Sequence, residues 1–123
     1  MPSKKIIILA LILAAVVVAW LLLKSPQGDQ QSEEAVVLMR DGVFEPTEIS
    51  VASGTKVVFK NQDTKPRWPA SNLHPTHGLY PEFDPKEQIE VGSEWVFVFD
   101  KPGTWRYHDH LIPELRGTVQ VHD

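Results

Sequence analysis

Four of the five histidines fall in two close pairs, His74-Pro75-Thr76-His77 and His108-Asp109-His110. Imidazole is the commonest neutral metal ligand and suits copper, zinc, iron and nickel. In an extended segment, residues two apart face the same way, so His108 and His110 can converge on one ion while Asp109 points to the opposite face. That alternation requires a ladder without a bulge after Tyr107. The proline between His74 and His77 stiffens their segment, so it can be brought against the other pair with little ordering left to do. The candidate metal ligands are therefore His74, His77, His108 and His110. Asp109 joins them as an oxygen ligand or as a partner that orients an imidazole. Nitrogen and oxygen ligation of this kind fits Cu(II) or zinc better than a fast copper redox couple, and an all-histidine set also holds Cu(I); copper is the expected metal, ahead of zinc. The competing reading is scattered surface histidines, the class to which His122 at the terminus belongs.

Other chemistries find little footing. The chain has no cysteine, so it offers no disulfide, no iron–sulfur cluster, no covalent haem and no thiolate ligand. There is no nucleophile-elbow glycine pattern and no phosphate-binding glycine loop, and no enzyme is expected; the remaining enzymatic class, a copper-dependent oxidoreductase, would need an open coordination position and a substrate cleft, and the sequence shows neither. The net charge of −4 hides an asymmetry: Lys4, Lys5 and Lys24 bracket an apolar stretch, and everything beyond is more acidic. A nucleic-acid partner, which wants a basic face, is excluded on that ground. Glu82 and Asp84 lie two apart beside the histidine loop and read as solvated loop surface. Trp68, Trp95 and Trp105 read as packing residues, with Trp68 placed to shield a metal site.

The elements that must position these groups are legible as patterns. Residues 6–23 form an unbroken apolar run of 18 residues, about the minimum for a membrane-spanning helix. Lys4 and Lys5 precede it, as expected for a cytoplasmic N-terminus. The run ends in Trp20-Leu21-Leu22-Leu23-Lys24, a poor signal-peptidase site, so residues 1–24 are read as an uncleaved anchor rather than a cleaved signal. Residues 25–34 are polar and without apolar period, a tether. The folded domain then covers residues 35–123. Short β-like segments at 36–39, 48–51, 56–60, 88–91, 94–99, 104–108 and 117–121 alternate with turn signals such as Asp41-Gly42 and Pro102-Gly103. Trp95, Phe97 and Phe99 alternate with Val96 and Val98, which predicts a central strand apolar on both faces. The pattern predicts an all-β antiparallel sandwich. Residues 61–86 carry no convincing strand but hold five prolines and the first histidine pair. Trp68, Tyr80 and Phe83 predict that this long loop is ordered and packed.

The motifs around these elements resemble a known family. Val43-Phe44-Glu45-Pro46-Thr47-Glu48-Ile49-Ser50-Val51, then Gly54-Thr55-Lys56-Val57-Val58-Phe59-Lys60-Asn61-Gln62-Asp63, looks like the opening of the small copper proteins called cupredoxins. Phe97-Val98-Phe99 followed by Pro102-Gly103-Thr104-Trp105-Arg106-Tyr107-His108 resembles their closing strands. The resemblance implies a Greek-key β-sandwich with copper at one end, used in electron transfer or copper handling. Its ligands do not carry over. In plastocyanin- and amicyanin-like members a Cys-x-x-His-x-x-Met loop follows the Tyr-His pair; here Asp109, Ile112 and Leu115 stand at those places. Their first histidine lies shortly after an Asn-x-Asp turn; here that region reads Lys65-Pro66-Arg67-Trp68, with no histidine before His74. A blue site needs a copper–thiolate bond, so this chain is not a blue-copper carrier.

Two compatible readings follow. In one, the site has moved to the four histidines, and the protein is a membrane-anchored, extracytoplasmic (periplasmic or cell-surface) copper-binding protein. In the other, Arg67 and Asp109 form a buried ion pair in a vacated copper site, and the domain is a metal-free binding or scaffold module.

Overall fold

The computed structural model describes residues 1–24 and 33–123. The tether read at residues 25–34 lies almost wholly outside the described residues. Two compact units divide the chain, Met1–Gln31 and Ser32–Asp123.

In the first unit, helix α1 spans Lys4–Leu23, 20 residues with no buried side chain. Nothing polar interrupts it after Lys5, and its mean hydropathy reaches 3.3. At 1.5 Å per residue it is about 30 Å long, enough to cross the hydrocarbon core of a bilayer.

The second unit is built from eight strands: β1 (Glu34–Arg40), β2 (Val43–Glu45), β3 (Glu48–Ala52), β4 (Thr55–Asn61), β5 (Pro69–Ser71), β6 (Glu94–Phe99), β7 (Gly103–Asp109) and β8 (Arg116–His122). They form two four-stranded sheets, ordered β2-β1-β4-β6 and β3-β8-β7-β5. Their inward faces enclose Val37, Met39, Phe44, Phe59, Phe99, Tyr107 and Val119, each 2 % exposed or less. The aromatic loop side chains are part of this core. Phe83 lies 5.6 Å from Phe59, 4.9 Å from Phe99 and 5.3 Å from Tyr107 between ring centroids. The Tyr80 hydroxyl donates to Asp100 Oδ1 at 2.8 Å. The long loop is thus pinned by two buried aromatic residues, as its composition predicts.

Four expectations about the strands need correction. The sandwich is mixed rather than antiparallel, because β1 runs parallel to β4 and β3 parallel to β8. The first pairing arises because β3 crosses to the second sheet, so that β4 returns beside β1 in the same direction. The stretch 88–91 is not a strand: Ile89 makes one isolated bridge, to Arg67. The Ile89 carbonyl also accepts from the Asn61 side chain at 2.9 Å, and the turn at Gly92, with φ of 81°, ends the segment. Strand β6 sits at a sheet edge, with Val96 and Val98 still 46 % and 43 % exposed. Finally, the long loop does contain a strand, the three buried residues of β5. Pro69 is tolerated there because β5 is an edge strand and has a free side where no donor is needed.

Candidate metal centre

Strand β7 carries the His-Asp-His run to the end of the second sheet. Its ladder is unbroken through Tyr107: His108 faces Ala70 on β5 and Arg116 on β8, and Asp109 faces Pro69. Beyond the last ladder pair, His110 N–H donates to the Trp68 carbonyl at 2.7 Å. Alternation therefore holds, and the three side chains part company as expected.

Asp109 is fully buried on one face. Its Oδ1 accepts from the Trp68 and Leu111 amides at 3.1 and 2.9 Å, and its Oδ2 from Arg67 Nη1 at 3.4 Å. Arg67 leans harder on a second carboxylate, with Nη2 and Nε at 2.7 and 3.1 Å from Asp63 Oδ2. The Arg67 guanidinium, with the Thr64 and Gly42 amides, outweighs burial and brings the Asp63 carboxyl down to about 2. The Arg67–Asp109 pair foreseen from the register is present, but as one arm of an Asp63–Arg67–Asp109 triad. Asp63 was missed although it sits four residues before Arg67, a spacing that a turn can close.

On the other face the two histidine pairs meet. One nitrogen from each of His74, His77, His108 and His110 lies within 4.8 Å of every other. His74 Nδ1 is 3.2 Å from His108 Nε2, and His77 Nε2 is 3.1 Å from His110 Nδ1. His77 and His108 are buried, His110 is half-buried and His74 is exposed, so the cluster opens on one side. Asp109 is not among the group; its oxygens are already taken on the opposite face.

The remaining nitrogens of the two buried rings are held by partners. His77 Nδ1 lies 2.7 Å from Asp84 Oδ2. His108 Nδ1 lies 2.8 Å from Asn72 Oδ1. Both acceptors favour a proton on Nδ1, which leaves each Nε2 lone pair facing the cluster. Asp84 is itself fastened: its Oδ1 accepts from Trp68 Nε1 and the Lys86 amide, both at 2.8 Å. Burial pushes its carboxyl up, but the hydrogen bonds from His77, the Lys86 amide and Trp68 prevail and hold it at about 2. Far from being solvated loop surface, Asp84 has a side chain 6 % exposed. Asn72 was not foreseen at all. The available signal for Asp84 was its position next to Phe83, a residue bound to be buried. Trp68 packs its ring 4.6 Å from that of His110 and shields the cluster.

Electrostatics favour neutral rings at His108 and His110. Burial, with neighbouring imidazoles and Arg116 adding to it, lowers the His108 value to about 4. The same burial and the same imidazole neighbours lower His110. Neutral imidazoles are the ligating form. Two nitrogens on one tetrahedral ion with bonds of about 2.0–2.1 Å stand about 3.3–3.4 Å apart. The two closest pairs, at 3.2 and 3.1 Å, come within a few tenths of an ångström of that spacing, and the donor set fits a first-row transition metal.

Comparison with known proteins agrees with the fold. A family model described as a cupredoxin-like domain matches residues 12–121. The chain belongs to the cupredoxin-like family. Among solved structures, the Cu(I) form of an amicyanin variant is similar at 24 % identity and TM-score 0.63, covering 72 % of this chain and 82 % of that one. A purple cupredoxin from Nitrosopumilus maritimus is similar at 19 % identity and TM-score 0.59, covering 72 % and 99 %. A copper-containing nitrite reductase from Thermus scotoductus matches at 22 % identity and TM-score 0.63; 73 % of this chain aligns with 22 % of that longer protein. No curated protein matches the chain. Within its family, this member has no cysteine to offer a copper ion.

Proposed function

We propose that this cupredoxin-like protein binds one copper ion through His74, His77, His108 and His110. The domain is displayed on the extracytoplasmic side of the cytoplasmic membrane by α1, and its task is copper handling or slow electron transfer. One observation carries this: four ring nitrogens from two distant segments converge within 4.8 Å, and both buried rings are oriented through their outer nitrogens. Chance surface histidines have no reason to be fastened in that way. Four imidazoles suit Cu(II) or Cu(I) better than a hard ion, and zinc less specifically. Asp109 acts on the old copper position, not as a ligand. The apolar helix preceded by Lys4 and Lys5 supports an anchor with its N-terminus inside.

The metal-free module has one observation in its favour, the buried Arg67–Asp109 contact. That contact fills the face of β7 opposite the histidines, so it accounts for the lost blue site without accounting for the cluster. The full-length chain, purified in detergent and titrated with Cu(II), tests both. The expectation is one tightly bound ion per chain, no intense thiolate absorption, and affinity lowered at least about 100-fold in the His74→Ala/His108→Ala double variant. Retained affinity in that variant overturns the assignment, and no saturable binding by the parent chain favours the metal-free module.

A further inference from the structure

Beside the histidine cluster, the outer face of the second sheet carries a cavity of about 290 Å³ whose walls include Asn72, Arg106, Tyr107, Arg116 and Gly117. A second cavity, of about 180 Å³, shares Asn72 and Arg116 and reaches His74 and His108. Neither wall contains an acidic side chain. This is unexpected in a chain of net charge −4.

The register explains how the cations gather. Arg106 and His108 lie two apart on β7 and so share a face, and His108 stands directly opposite Arg116 on β8. Among the described residues, no carboxylate lies within ion-pair distance of Arg106 or Arg116. Every other arginine of the chain is paired: Arg40 with Glu45, and Arg67 with Asp63 and Asp109.

The Asn72 amide in both walls supplies a further donor: its Oδ1 is taken by His108, while its Nδ2 makes no hydrogen bond among the described residues.

We propose that this cavity is a binding site for a small oxyanion, a carboxylate or a phosphate, gripped by Arg106 and Arg116 and completed by Asn72. Guanidinium forks match the paired oxygens of such anions, and the remaining group is a donor. Through Asn72, a bound anion is one hydrogen bond from His108. The inference deepens the metal-binding proposal by giving the metal site an anionic neighbour, but the anion site stands on its own residues.

The test uses the metal-free full-length chain in detergent, titrated calorimetrically with inorganic phosphate and separately with citrate. The expectation is one saturable site for at least one of them, and the anion that binds identifies the chemical source. Affinity should fall at least about tenfold in Arg106→Ala/Arg116→Ala, whose sites are exposed and leave the fold intact, since charge-assisted bonds are lost. Failure of both anions to saturate below about 10 mM, or unchanged affinity in the arginine double variant, overturns the inference. Because no metal is present, either result leaves the copper proposal to its own test.

Discussion

Replacing Asp84 by asparagine changes one atom type in a side chain that never touches the candidate ion, yet it should cripple the site through a tautomer. In the native arrangement two N–H donors, Trp68 Nε1 and the Lys86 amide, converge on Oδ1 at 2.8 Å, and His77 Nδ1 faces Oδ2 at 2.7 Å. In Asp84→Asn the same two donors hold the amide oxygen at the Oδ1 position, so the NH2 group is turned toward His77. Nδ1 must then accept, and the ring proton moves to Nε2. That is the nitrogen 3.1 Å from His110 Nδ1, the one that would bind the ion. A proton there blocks ligation. Partners that orient ligating histidines typically contribute about 10–100-fold to metal affinity, or roughly 1.4–2.8 kcal/mol. Competition of the full-length chain against a fluorescent copper chelator measures the loss, and long-range proton–nitrogen spectra of the imidazoles report the tautomer. A merely structural role for Asp84 would make Asp84→Ala worse than Asp84→Asn, because alanine leaves a cavity and two orphaned donors. The tautomer mechanism makes asparagine at least as harmful to binding with little change in melting temperature. Native affinity in Asp84→Asn would refute the assignment of His77 Nε2 as a ligand.

Two further outcomes follow from the buried charges. Arg67→Leu strands Asp63 and Asp109 without their shared cation, and should cost about 3–5 kcal/mol, seen as a lower urea midpoint; a change below about 1 kcal/mol would mean the triad is not formed. The metal-free chain should lose stability in two steps on acidification. His108, lowered by burial from its ordinary 6.5 to about 4, binds its proton more readily unfolded, so stability falls between about pH 6.5 and 4. Asp63 and Asp84, ordinarily 3.8 and held at about 2, hold stability that is complete above about pH 4 and lost toward pH 2, at most about 2 kcal/mol each. Urea unfolding at successive pH values checks both, and a flat profile between pH 4 and 2 would contradict the Asp63 and Asp84 contacts.

The amino-acid sequence alone determined the apolar helix, the sandwich and the separation of His108 and His110 from Asp109. Those are period-2 and run-length properties, written in neighbouring residues and independent of distant contacts. The absence of cysteine likewise excluded a thiolate centre before any fold was known. What the tertiary structure decided is everything that depends on which distant segments meet. The sequence offered two histidine pairs 31 to 36 positions apart, and only the docking of Tyr80 and Phe83 into the core brought them together. Asp84 and Asn72 look like ordinary loop residues until their partners are known, because a hydrogen-bond acceptor has no periodicity to betray it. The edge placement of β6 and the parallel pairings were hidden for the same reason: alternation describes one strand, and only the assembled sheets reveal its neighbours. The His-Asp-His motif therefore announced that chemistry was present, and the fold divided it between a closed ion pair and an open cluster of imidazoles.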